Sequence, residues 1–403
     1  MLLLVGGGHA HVAVLADLAR RGVPEGARVV LLTPEPALRY SGMVPGWLAG
    51  QHGQGEGLVD LAALAARAGA AFVPGRCVAF DPEARVVQTD AGAAIAFDCA
   101  SFDTGGEGQA AALLGEDPRL LDVRPIGAFV ERLAALRASR HGRLRVVVAG
   151  GGAGGIELAF GLRNLAGVPA RPQVTLATGQ AGLLPGFAPA VRRRVARALE
   201  RQGIAAIPVD VRFAGGALVA DGSADPFASS EVEKPVAAAG VAPRSAGTGK
   251  SVFQSLEPAD LIIAALGSAA PGWVRASGIA TDAAGFLLVD AQQRSVSHPH
   301  IFAAGDVAAR ADRRLAHSGV HAVFAGPVLA ANLRSVLEGE ATRATYRPRR
   351  HSLYLLNTGD GSAIASYGPL CAEGPWVLAL KHRIDKGWIA KYASLTGASG
   401  DQD

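Results

Sequence analysis

The chain has 403 residues, room for two or three domains with cores of their own. Hydrophobic residues make up 49% and the formal net charge is only +4, and no Lys/Arg block interleaved with aromatics marks a nucleic-acid groove. Apolar runs stay short of the roughly 18 residues of a bilayer span, and Cys77, Cys99 and Cys371 show no C-x-x-C spacing, so no structural disulfide, metal site or local redox pair is expected.

The first predicted element is a strand, Leu2 to Val5, which runs into Gly6-Gly7-Gly8 and then a helix. Gly6 and Gly8 fit the G-x-G-x-x-G dinucleotide fingerprint, but His11 stands where the third glycine belongs. The opening segment lacks the basic lead and the length of a signal peptide, so a cytoplasmic protein is expected. A second strand, Arg28 to Thr33, lacks the acidic end that grips ribose hydroxyls, and Glu35 lies beyond a proline. The loop YSGMVPG, Tyr40 to Gly46, follows. Short strands at Val86–Thr89 and Ile95–Asp98 lead to FDTGG, Phe102 to Gly106.

The opening pattern then returns. Val146, Val147 and Val148 form a buried-strand run, and Gly150-x-Gly152-x-x-Gly155 is complete before a helix that begins near Ile156. In such turns the first glycine permits a tight bend, the second lets backbone approach a pyrophosphate, and the third lets helix and strand pack closely. The pyrophosphate rests on the amides and positive dipole of the helix N-terminus. The next strand, Val174 to Thr178, again ends without an acid, and Arg192, Arg193 and Arg194 are candidates for a 2′-phosphate or a solvated helix face. An Ala/Ser/Gly/Pro-rich stretch at 223–258 reads as a flexible insertion. A strand at Leu261 to Gly267, the segment IFAAGDVA and a helix from Gly319 follow. The tail has a strand-like part and then a helix on which Trp376, Leu380, Ile384, Trp388 and Tyr392 recur every fourth residue among Lys381, Arg383, Lys386 and Lys391. That stripe suits either a membrane interface or packing on the protein itself or a second copy.

The two glycine turns, FDTGG, AALG and IFAAGDVA in this order resemble the two-dinucleotide-binding-domain flavoproteins, the FAD-dependent pyridine nucleotide oxidoreductases. GGGHAH, YSGMVPG and the tail from Asn357 resemble a subgroup of type II NADH dehydrogenase-like proteins, some of them fused to selenide, water dikinase. The resemblance implies an α/β fold with two Rossmann-like domains. An FAD domain would take 1–115 and 268–340, an NAD(P) domain 116–267, and an α+β region 341–403. It implies FAD contacts from Gly6, Gly8, His9, His11, Tyr40, Met43, Gly305, Asp306, His317 and Gly319. Asp306 would bond a ribityl hydroxyl, and the helix from Gly319 would stabilise charge on reduced flavin. NAD(P)H contacts would come from Gly150, Gly152, Gly155 and Glu157, the last also a candidate catalytic residue near nicotinamide and flavin. His11 alternatively packs between helix and strand with its nitrogens bonded to backbone.

The implied activity is hydride transfer from NAD(P)H to FAD, with electrons passed to a quinone or another small acceptor. The subgroup often has Lys where this chain has His317 and Gln where it has Ala325, which weakens the case for quinone. The alternatives are a flavin-binding regulatory or scaffold protein and a reductase serving selenium or sulfur metabolism. Peripheral membrane contact through the last helix and a homodimer are both compatible with the sequence.

Overall fold

The computed structural model describes residues 1–139, 142–220, 256 and 258–396. Apart from Leu256 and Pro258, the insertion expected at 223–258 lies outside the described residues.

Two five-stranded parallel sheets organise the chain. In the first, Leu2–Val5 lies at the centre between Cys99–Phe102 and Val29–Thr33, with Ile301–Ala303 and Ala71–Pro74 at the edges. Leu2–Val5 and Cys99–Phe102 are buried along their whole length, as strands covered on both faces must be. In the second, Arg145–Ala149 lies between Leu261–Ala264 and Gln173–Ala177, with Leu120–Asp122 and Ala205–Ile207 outside. The fold is thus α/β with two Rossmann-like units.

Helix His9–Arg21 covers the first sheet and packs on helix Gly319–Leu337. A Cβ at Gly326 would fall 2.8 Å from the Ala13 methyl, so the glycine sets how closely the two helices approach. By length and composition Gly319–Leu337 could cross a bilayer, contrary to the expectation that no segment reaches that size. Its Ala325, Leu329 and Leu333 are spent instead in one core with Ala10, Val14 and Leu18.

The tail forms an antiparallel sheet of Leu353–Asn357, Ala363–Tyr367 and Leu370–Gly374, followed by helix Pro375–Ala393. Val377 and Leu378 pack on this sheet, and Tyr392 joins the core of the first unit with Trp388 beside it. The expected single stripe therefore divides. Trp376 is 60% exposed and Leu380 and Ile384 face solvent, whereas Trp388 and Tyr392 turn inward. The reason is geometric: each four-residue step advances about 40° around a helix, so five such residues drift by about 160°.

Candidate functional site

At the first glycine turn the chain reverses at Gly6, whose φ is +93° and whose amide donates to the Leu32 carbonyl at 2.8 Å. The Asp103 carboxylate fills the space beside it. Its Oδ2 accepts from the Ala10 and His11 amides at 2.7 and 3.0 Å, and a Cβ on either Gly8 or Gly305 would run into this carboxylate. Burial pushes Asp103 up to about 7, against the pull of the two amides. Sequence reasoning passed over Asp103 because FDTGG read as a strand end.

His11 sits as a brace between the turn and the neighbouring strand. Its ring is fully buried, with Nδ1 2.6 Å from the Gly6 carbonyl and Nε2 2.9 Å from Ser101 Oγ. Both nitrogens are engaged, so neither is left for phosphate. Burial holds the ring at about 4, hence neutral at ordinary pH.

His9 points the other way. Burial holds it too at about 4, with Asp306 opposing the shift, and its Nε2 is buried without a partner. Asp306, on the turn Gly305–Val307, pairs with Arg124 at 3.1 Å. Gly305 has φ +72°. A cavity of about 470 Å³ opens beside Gly305 and Asp306 and is lined by His317, Ser318 and His321, at the start of the helix from Gly319. Ser318 Oγ is buried and unpartnered, and His317 lies exposed against the Phe286 ring, 4.1 Å between centroids. Unpaired donors at His9 and Ser318, with an aspartate between them, suit a polyhydroxylated phosphate ester such as FAD.

Beyond His9 lies a cluster built by three parts of the chain. Tyr40 stacks on Trp388 at 4.7 Å, and His9 meets both rings edge-on or tilted. Met43 is buried next to Gly57. Glu157, in helix Ala153–Arg163, accepts from the Asn357 amide at 2.9 Å and faces Lys381 Nζ at 3.8 Å. Lys381 also meets Asp385 at 3.4 Å. Burial raises the Glu157 carboxyl above its usual range, Lys381 notwithstanding, and raises Asp385 likewise. Burial works against the Lys381 charge, yet Glu157 and Asp385 outweigh it and the ammonium is held above its ordinary value. Burial and the nearby Asp385 raise the Tyr40 hydroxyl as well. Two carboxyls thus share one buried ammonium. Lys381 was missed as a site residue because it read as one of the basic residues around the apolar stripe of the last helix.

At the second turn, a Cβ at Gly155 would strike the Gly150 carbonyl, so this glycine is required by packing, while Gly152 has nothing within 4 Å of an added Cβ. Gly150 takes φ +130°. The next strand ends at Thr178, whose hydroxyl bonds backbone carbonyls. Asp210 closes on Gly179 from the neighbouring strand's end: its Oδ1 lies 2.7 Å from where a Cβ would sit. Arg192 and Arg193 are exposed on helix Pro189–Arg201.

The three cysteines are all free. Burial pushes the Cys77 and Cys99 thiols up to about 12 and raises Cys371, which makes all three poor nucleophiles.

Two glycine turns on two parallel sheets, joined by a strand that returns to the first, define a two-dinucleotide flavoprotein. Residues 1–326 match the pyridine nucleotide-disulphide oxidoreductase family, and the chain belongs to it. It is an oxidoreductase whose cofactors are FAD and NAD(P)H. Among solved structures it is similar to the sulfide:quinone oxidoreductase of Aquifex aeolicus, with TM-score 0.71, 17% identity, and 98% of this chain and 91% of that one covered. It is also similar to a ferredoxin reductase of Rhodopseudomonas palustris, with TM-score 0.66, 19% identity and coverage of 90% and 81%. The water-forming NADH oxidase of Lactobacillus brevis gives TM-score 0.67, 19% identity and coverage of 91% and 75%. No curated protein matches in sequence.

Proposed function

We propose that this protein passes hydride from NADH to FAD and electrons on to a quinone or another small acceptor, in the manner of type II NADH dehydrogenases. The observation that carries this reading is the buried Glu157–Lys381–Asp385 cluster, where the second glycine-turn helix and the C-terminal helix meet beside Tyr40 and His9. Bound FAD supplies a carrier that accepts hydride and releases electrons singly or in pairs. The protein's own groups position and protonate. Gly6 and His9 would hold the cofactor's phosphates and Asp306 its ribityl hydroxyls, while Gly150 and Gly152 would admit the nicotinamide dinucleotide. Burial holds the Glu157 carboxyl above its usual range, and Lys381 keeps a positive charge where a reduced acceptor gains a negative one. The Tyr40–Trp388 stack offers an aromatic surface for a ring-shaped acceptor. Thiol chemistry has no part in this scheme, since no cysteine lies in the cluster.

NADH is favoured over NADPH because Asp210 brings a carboxylate to the strand end that lacks its own acid. Such a group accepts from ribose hydroxyls and repels a 2′-phosphate. The exposed Trp376, Leu380 and Ile384, with Arg383, Lys386 and Lys391 also exposed, support a peripheral site on an anionic cytoplasmic membrane face. Separate half-reactions test the acceptor role. Lys381→Met should leave flavin reduction by NADH within about threefold of wild type and slow reoxidation by a short-chain quinone at least tenfold, near the size expected for one general-acid or electrostatic group. Equal reoxidation rates in the two proteins would remove the cluster from the acceptor step.

A further inference from the structure

We propose that FAD binding at the first glycine turn is coupled to uptake of one proton by Asp103, a positioning residue for the cofactor's pyrophosphate. This rests on the placement of FAD at that turn. A helix N-terminus ordinarily offers its first amides to an anion. Here two of them are already taken, because the Ala10 and His11 amides donate to Asp103 Oδ2. The carboxylate lies in the space that Gly8 and Gly305 leave by lacking side chains, so it adjoins both the phosphate turn and the Asp306 turn. Only 3% of Asp103 is exposed.

A pyrophosphate brought to this turn is ionised at any neutral pH. Two negative groups sharing a buried site do not both keep their charge, and the carboxylate is the one able to take a proton. Protonated Asp103 retains acceptor capacity for the Ala10 and His11 amides and gains an O–H to donate toward a phosphate oxygen. Among the described residues packed around it, the other titratable groups are less suited to take the proton. His9 and His11 on the first helix are held at about 4 by burial. Asp306 on the facing turn is paired with Arg124. His321, one helical turn into the helix from Gly319, is lowered by burial and bonds the Tyr346 hydroxyl at 2.8 Å. Asp103 itself starts at about 7 before any phosphate arrives. The sign follows: a bound anion raises this value further, so affinity is full below about pH 7 and falls as pH rises above it.

The test follows FAD release from diluted holoprotein by flavin fluorescence, from about pH 6 to 9. Wild-type Kd should be flat up to about pH 7 and then rise toward tenfold per pH unit, while Asp103→Asn holds a flat Kd throughout. Calorimetric reloading of stripped wild-type protein in two buffers of different ionisation enthalpy should count close to one proton taken up at about pH 8. That count stands alone if the variant folds poorly. A flat wild-type profile, the same slope in Asp103→Asn, or no proton uptake overturns the proposal. Asp306→Ala separates it from the reading beneath: full FAD retention there would strike Asp306 from the cofactor site. Loss of FAD there, with no proton uptake in wild type, would reject the coupling alone.

Discussion

Asp306 shows how a single side chain can serve two partners. It pairs with Arg124 at 3.1 Å and also faces the unpartnered His9 ring. Asp306→Ala should weaken FAD binding by about 10- to 100-fold, the cost of one charge-assisted hydrogen bond, read as Kd from flavin fluorescence; an unchanged Kd would strike Asp306 from the cofactor site. The same logic gives Lys381→Met a pH signature. Without the ammonium, Glu157 and Asp385 are two buried carboxyls with folded values above their unfolded ones. Groups raised in this way lend stability below the unfolded value, and it is lost as pH rises through the folded one. The variant's Tm should therefore drop from about pH 5 to 8 more steeply than the wild type's, and parallel curves would mean that the ion cluster is not holding the helix. Of these residues, Asp306 and Glu157 were legible because each sits at a fixed offset in a glycine motif. Asp103 was not, because Gly8 and Gly305, which make room for it, lie far away in sequence and meet it only through the order of strands in the sheet.

The C-terminal helix is where periodicity misled. Its apolar residues recur at a spacing of four, which looks like one stripe in sequence but winds around a 3.6-residue helix. Val377, Leu378, Lys381, Asp385 and Tyr392 are the buried set, at successive steps of one, three, four and seven. Trp376, Leu380 and Ile384 remain outside, and Leu370 on the adjoining sheet is 67% exposed. Cosedimentation with anionic liposomes at low salt should retain the wild-type chain, and replacing Trp376, Leu380 and Ile384 by Ser should release it without loss of FAD. Wild-type protein left in the supernatant, and dimeric by light scattering, would assign the face to a second copy. By contrast the two glycine-turn helices were readable at once, because a buried strand, a glycine bend and an apolar helix are contiguous in sequence.

At the scale of the whole molecule, the two parallel sheets supply two binding turns, and the tail closes over the space between Tyr40 and Glu157. The duplicated turn made this architecture readable, since each copy carries its own local signal. The tail read as strand-like from its own local sequence, whereas the three-part cluster beneath it was not readable, since its contacts join residues hundreds of positions apart, as Glu157 with Asn357 and Lys381. The central claim is that pyridine nucleotide bound at the second turn reduces FAD bound at the first. Gly152→Val suits its test, because an added side chain meets no protein atom within 4 Å and the backbone there is ordinary, with φ −76°. Anaerobic stopped-flow mixing of each holoprotein with NADH and with NADPH, followed by flavin absorbance, is the direct measurement. Wild type should bleach rapidly, faster with NADH, and Gly152→Val should bleach at least a hundredfold more slowly with FAD still bound. Wild-type flavin that stays oxidised for minutes at saturating concentrations of both nucleotides would contradict it.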